Sequence, residues 1–166
     1  MSNLKYAITG HTYGVGEALY KRLSPNAIGF SKSTGYDITN KEDRLRIIKE
    51  AYDCDVFINN APAAFGQTYM LIELFNAWKN LNKTIINVGS RIAEVQTLPE
   101  THMHLLEYQA EKLILKEMSQ KLVGYTCDVR YRWFAYVGTD KILTKYPHFT
   151  PNDYITVDQA ADIILS

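Results

Sequence analysis

The sequence predicts a three-layer α/β fold: one mainly parallel sheet of about five strands, in the order 2-1-3-4-5, with helices on both faces. Three observations carry that expectation. Short apolar runs alternate with stretches of helical spacing along the whole chain, the pattern of repeated strand–helix units. Runs such as CDVFIN (54–59) and TIINVG (84–89) are nearly continuous in apolar residues, as strands covered on both faces must be. Finally, only five residues separate Ser31 from Asp37. A parallel neighbour needs a crossover of about a dozen residues or more. The stretch GYDI therefore lies near the C-terminal edge of the second strand and leads straight into a helix. Right-handed crossovers then give the order 2-1-3-4-5.

The elements follow in turn. LKYAIT (4–9) is the first strand. A helix runs from Gly14 to about Leu23, with Val15, Leu19 and Leu23 on one face and Pro25 as its stop. AIGFS (27–31) is the second strand. The second helix covers about Lys41 to Tyr52, with Leu45, Ile48 and Tyr52 at helical spacing. CDVFIN is the third strand, and a helix spans roughly Gln67 to Leu81. TIINVG is the fourth strand, followed by a helix from about Thr101 to Leu122. GYTCDVRY (124–131) reads as a fifth strand. The chain closes on a helix from Val157 to Leu165, capped by Thr156 with Gln159 three residues on. Residues 132–151 are aromatic and irregular and receive no element. Nothing divides the chain, so its 166 residues form one domain.

Composition narrows the function classes. Lys plus Arg and Asp plus Glu both number 18, so no overall field draws the chain to nucleic acid or to an anionic membrane. No run approaches the roughly 18 apolar residues of a membrane span. The N-terminus enters a strand pattern at once, without the long apolar core of a signal peptide, and the expected location is cytoplasmic. Cys54 and Cys127 lack CxxC spacing and read as buried reduced thiols, so no metal site is expected. His102 and His104, two apart on a helix, face differently and make poor joint ligands.

Two stretches suggest chemistry. TGHTYGVG (9–16) joins the first strand to the first helix, where free N–H groups and the positive end of the helix dipole suit a pyrophosphate. A plain strand-to-helix turn is the alternative. EYQAEK (107–112) sets Tyr108 four residues before Lys112, so one helical turn brings a phenol beside an ammonium. Taken singly, such a pair is most often a solvated helix face. A cation beside the ring favours the phenolate and lowers a pKa that is otherwise near 10. Such a phenol can exchange a proton with a carbonyl or alcohol oxygen. Ser90, ending the fourth strand, can donate a hydrogen bond to the same oxygen.

TGHTYGVG resembles the TGxxxGxG signature of the short-chain dehydrogenase/reductase family. In the same order, NNAP (59–62) resembles that family's NNAG, INVGS (86–90) its serine-bearing strand end, and Tyr108 to Lys112 its YxxxK. The resemblance covers residues 4 to about 131. It implies a Rossmann-like fold and a nicotinamide dinucleotide cofactor. It also implies Tyr108 as acid/base, Lys112 as its pKa modifier and a cofactor ligand, and Ser90 as the anchor of the substrate carbonyl. By the same resemblance Gly10, Thr12, Tyr13, Gly14, Val15 and Gly16 hold the diphosphate. Asp37 and Ile38 meet the adenine, and Asn59, Asn60 and Ala61 wall the cofactor. The second strand ends FSKST, with no acid to receive a ribose hydroxyl. Ser31, Lys32 and Ser33 suit a 2′-phosphate instead, so NADP(H) is expected over NAD(H), with Lys32 as a solvated loop charge being the alternative.

The chain also departs from the family. Pro62 stands in place of a glycine and removes an N–H. The family's asparagine on the following helix has no clear match, Asn76 falling too late. After the fifth strand Arg130-Tyr-Arg-Trp-Phe replaces a Pro-Gly pair, with Gly138-Thr139 as a possible contact further on. The chain is short for the family, so residues 91–101 and 132–151 must supply the substrate wall. Trp133, Phe134, Tyr136, Tyr146 and Phe149 could form an apolar lid, although core or interface packing is the commoner role of such residues. The expected activity is hydride transfer between NADP(H) and a small carbonyl or alcohol, in a homodimer or homotetramer. Two rivals use the same fold: a dinucleotide-binding sensor without turnover, and an epimerase or dehydratase of nucleotide sugars, for which the C-terminal region is short.

Overall fold

A computed structural model describes residues 3–166. Strands β1 (Tyr6–Thr9), β2 (Ala27–Phe30), β3 (Val56–Asn59), β4 (Thr84–Val88) and β5 (Asp128–Arg132) form one sheet in the order β2-β1-β3-β4-β5. Every neighbouring pair is parallel. The inferred order and the reasoning from the short second connection both hold. After β2 the chain makes a 3-10 turn over Lys32–Thr34 and passes Asp37 into α2 (Lys41–Glu50).

The remaining helices are α1 (Gly14–Leu23), α3 (Gly66–Trp78), α4 (Leu106–Lys121), α5 (Asp140–Lys145) and α6 (Val157–Leu165). α2 is capped by the Asn40 side chain, which accepts from Glu42 and Asp43 N–H. α6 carries the expected capping box between Thr156 and Gln159. Helices cover both faces of the sheet, and two cores result. Under one face, Phe57, Met70, Leu71, Leu74, Trp78, Ile85 and Leu115 are fully buried. Under the other, Ile8, Leu19, Ile58 and Ile164 are fully buried. Each such side chain contributes about 1.5–3 kcal/mol relative to exposure.

Several boundaries differ from the sequence expectation. The helix expected from Thr101 begins as a 3-10 segment, Glu100–Leu105, and becomes α-helical only at Leu106. Residues 100–105 are mostly exposed and lack the apolar stripe that would hold a longer α-helix against the sheet. The fifth strand starts at Asp128, not Gly124: Gly124 sits at φ +85° in a turn, and Cys127 is buried as the chain enters the sheet. α3 stops at Trp78 and α2 at Glu50, each short of the expected end. Within the unassigned stretch lie α5 and Val137, which forms a parallel bridge with Ile155 beyond it. Cys54 and Cys127 are free and buried, and burial pushes both thiols up, that of Cys127 to about 11. No helix among the described residues is long and apolar enough to cross a membrane.

Candidate active site

The C-terminal ends of β1, β3 and β4 open onto a cleft of about 570 Å³. This is where an open parallel sheet offers ligands both its strand ends and the helix N-termini. The floor is the glycine loop. Gly10 and Gly14 take positive φ, +73° and +56°, which side chains disfavour. Gly16 touches the loop itself: a Cβ there would sit 2.0 Å from the Gly10 carbonyl oxygen. α1 begins at Gly14 with no side-chain cap, so its first N–H groups remain available to a ligand. Thr9 braces the loop, its buried hydroxyl accepting from Asn60 and Ala61 N–H at 2.9 and 3.0 Å. The Asn60 amide returns a bond to the Thr9 carbonyl at 3.0 Å.

One end of the cleft is polar and charged. Thr12 and Ser33 hydroxyls lie 3.1 Å apart, joining the glycine loop to the turn after β2. Lys32 is almost fully exposed and pairs with Asp37 at 3.2 Å. Thr39 donates its hydroxyl and N–H to Asp37. These bonds, followed by that of Lys32, hold the carboxyl down at about 2. Ile38 is buried, and its carbonyl accepts from Arg44, which also makes a two-pronged pair with Glu73 at 2.8 and 2.9 Å. The wall formed by residues 37–39 is thereby fixed to α2 and α3.

The other end carries the phenol. Tyr108 stands in the first turn of α4, about a third exposed, facing the cleft. Burial of its hydroxyl end raises its pKa, and a hydrogen bond with the Ser90 side chain pulls the other way. Ser90 lies two residues beyond β4, its Oγ capping the 3-10 turn Arg91–Glu94 by accepting from Ile92 N–H. Gly89 beside it must lack a Cβ, because the Tyr131 ring fills that space 2.1 Å away. Burial pushes the Tyr131 phenol up to about 12.

Lys112 lies one turn beyond Tyr108 and is only 3% exposed. Its Nζ is 5.6 Å from the Tyr108 ring centroid, above the ring rather than bonded to the hydroxyl. Nζ instead donates to Gln67 Oε1 at 2.8 Å and to the Val88 carbonyl at 3.0 Å. Burial lowers its pKa to about 8, with Glu111 acting weakly in the opposite sense. The expected depression of the phenol by its neighbouring cation is therefore not the resting balance: desolvation dominates and keeps Tyr108 protonated.

Of the residues singled out from sequence, the cleft gathers Gly10, Thr12, Tyr13, Gly14, Val15, Ser31, Lys32, Ser33, Asp37, Ile38, Asn60, Ala61, Tyr108 and Lys112. Gly16 serves by close packing behind the loop. Asn59 is a correction. It is fully buried, and its amide is committed to the Gln67 carbonyl and Asn87, so its side chain does not reach the cleft. Asn76 points to solvent. Of the two readings of the aromatic stretch, packing is the one found. Phe134 alone of the five lines the cleft, while Tyr136, Tyr146 and Phe149 stack on one another with centroids 4.9–5.5 Å apart. Mutual packing removes their apolar faces from the site. Thr139, by contrast, stands over the glycine loop, its methyl 3.2 Å from where a Gly14 Cβ would lie. His104 stays exposed and lines no part of the cleft. Among the described residues no group of three His, Cys, Asp or Glu could hold a metal.

Two residues escaped the sequence reading. His11, inside the glycine loop, lays its ring where a Gly29 Cβ would be, and Nδ1 lies 3.0 Å from the Ser31 hydroxyl. Burial lowers its pKa, so the neutral ring braces the end of β2. Gln67 is the other, and neither shows any spacing signal.

Comparison with known proteins found no matching family model and no curated relative. Solved structures do match. A short-chain dehydrogenase from Burkholderia cenocepacia J2315 in complex with NADP superposes with a TM-score of 0.78 at 22% identity, covering 99% of this chain and 83% of its own. A short-chain dehydrogenase/reductase of unknown function from Caenorhabditis elegans, with cofactor, gives 0.75 at 18%, covering 99% and 87%. Serine dehydrogenase from Escherichia coli gives 0.72 at 16%, covering 98% and 89%. Matched across nearly its whole length, the chain has the Rossmann-like fold of the short-chain dehydrogenases and reductases.

Proposed function

We propose that the chain is an oxidoreductase that moves a hydride between NADP(H) and a small carbonyl or alcohol. The observation that carries this reading is the meeting of Tyr108 and Lys112 at one end of a cleft whose floor is a diphosphate-type glycine loop, with Ser90 beside Tyr108 just outside the cleft lining. The cradle suits the cofactor on its own terms: two glycines at positive φ, a third with no room for a Cβ, and an uncapped helix start. The solved structures of like fold include complexes with NADP and NADPH. Gly10, Thr12, Tyr13, Gly14 and Val15 would hold the diphosphate. Ser31, Lys32 and Ser33 would take the 2′-phosphate, and Asp37 and Ile38 the adenine edge. The cofactor supplies or accepts the hydride.

The protein's share is proton transfer and charge stabilisation. Tyr108, held neutral by burial, gives its proton to the substrate oxygen as a carbonyl is reduced. The Ser90 hydroxyl donates a second bond to that oxygen. The Lys112 ammonium, above the ring, stabilises the phenolate left behind. A proton from solvent then restores the phenol through the open cleft. The exposed Leu106, Leu113 and Ile114 of α4 support the expected homodimer or homotetramer.

The deciding experiment is Tyr108→Phe. NADPH affinity is expected to stay within about threefold of wild type, while turnover on a carbonyl panel falls by the roughly 100-fold or more typical of a lost general acid. Wild-type turnover that survives the substitution would refute the assignment. NADPH binding with no wild-type turnover on any carbonyl would instead favour a dinucleotide sensor.

A further inference from the structure

We infer that Gln67 is a positioning residue for Lys112, its side-chain oxygen fixing the ammonium and aiming the remaining N–H into the cleft. The inference rests on the proposed activity for its meaning but not for its test. Gln67 is 4% exposed on the first turn of α3, and every polar atom of its side chain is engaged. Nε2 donates to the Asn59 carbonyl at 2.6 Å and to the Val88 carbonyl at 2.9 Å. Those two bonds fix which way the amide points, so Oε1 faces Lys112 as an acceptor. The lysine has three N–H donors, and two are spent on Gln67 and Val88. The third has no acceptor among the described residues, and Lys112 lines the cleft.

Behind Gln67 the polar chain runs inward and stops. Asn59 donates to Asn87, Asn87 to Ser119, and Ser119 to the Leu115 carbonyl. Amides in this ladder bind no titrating proton, so it acts as a scaffold and not a relay. On its own helix Lys112 faces Glu111, which supplies charge, and the titratable Tyr108 ring beneath the ammonium. From α3 and β4 it meets the Gln67 amide and the Val88 carbonyl, both neutral. A neutral acceptor steadies the ammonium without cancelling the charge it presents to the cleft.

The test is nuclear magnetic resonance of the protein without added cofactor. In the wild type at about pH 6, the Lys112 ammonium protons are expected to exchange with water at least tenfold more slowly than those of an exposed lysine, because fixed acceptors protect them. Gln67→Met removes the acceptor and keeps the bulk. The titration midpoint read at Lys112 Cε is expected to fall by about one pH unit. Asn87→Leu breaks the same ladder but leaves both lysine acceptors in place, so its midpoint should match wild type. Unprotected wild-type ammonium protons would overturn the inference, even if Gln67→Met failed to fold. So would an unmoved midpoint in Gln67→Met, or equal shifts in both variants, which would make Gln67 only part of the framework. None of these readings needs turnover, so loss of the proposed activity leaves this inference standing or falling by itself.

Discussion

Replacing Lys112 by Met and following stability against pH tests the buried cation directly. In the folded chain its pKa is about 8, against an ordinary lysine value of 10.5. The depressed value means that between these limits the unfolded chain holds the proton more tightly than the folded one. Stability from this group therefore rises with pH across the window. Below it, both states carry the proton and the folded state bears the full cost of a buried charge. Integrating the two titrations gives a rise of about 2 kcal/mol between about pH 7 and about pH 9.5. Urea unfolding of wild type and Lys112→Met at both pH values isolates the term, since the other titrating groups are common to both proteins and Tyr108, the one beside the substitution, is raised by burial. The wild-type minus variant difference should grow by that amount toward high pH. A difference flat to within about 0.5 kcal/mol would mean that Lys112 is hydrated or paired to a carboxylate. The reasoning from its burial would then be wrong.

Two further outcomes are expected. Lys32→Glu should weaken NADPH binding at least about tenfold while changing NADH much less, as read by fluorescence titration, because a second carboxylate beside Asp37 repels a 2′-phosphate; an unchanged preference would remove Lys32 from the phosphate site. Gly16→Ala should cost about 1–3 kcal/mol in urea unfolding and abolish tight NADPH binding, since its Cβ meets the Gly10 carbonyl rather than a mobile side chain; wild-type affinity in this variant would show that the loop is not the cradle.

The sheet order was legible because it rests on a hard geometric limit. Five residues after Ser31 cannot cross a sheet, and no packing detail can change that. The glycine loop was legible for a similar reason, its backbone demanding residues without side chains. Element ends were less so. Residues 100–105 carry helix formers yet lack an apolar face, and tertiary contact decides between 3-10 and α. Asn59 shows the limit for a site. A motif places the residue at the strand end, but pleating sends its side chain inward, to Asn87 and Gln67. The stacked rings of Tyr136, Tyr146 and Phe149 could not be separated from a lid, because the same apolar face serves either use.

Lys112 and Asp37 show opposite ways of setting a charge in one cleft. Asp37 stands near water, and local donors from Thr39 and Lys32 keep it ionised down to about 2. It makes a fixed negative edge whose partner, Lys32, is exposed and free to turn to another anion. Lys112 is the reverse: buried, bonded to no carboxylate among the described residues, and held by an amide and a carbonyl. A carboxylate in place of Gln67 would make the ammonium more stable, but it would also neutralise the field felt at Tyr108. Keeping the acceptors neutral leaves the cation close to its own titration point, where a small change in surroundings moves its charge. The stability lost in burying it is thus consistent with a group that must answer to a phenolate formed 5.6 Å or so away rather than to a permanent partner.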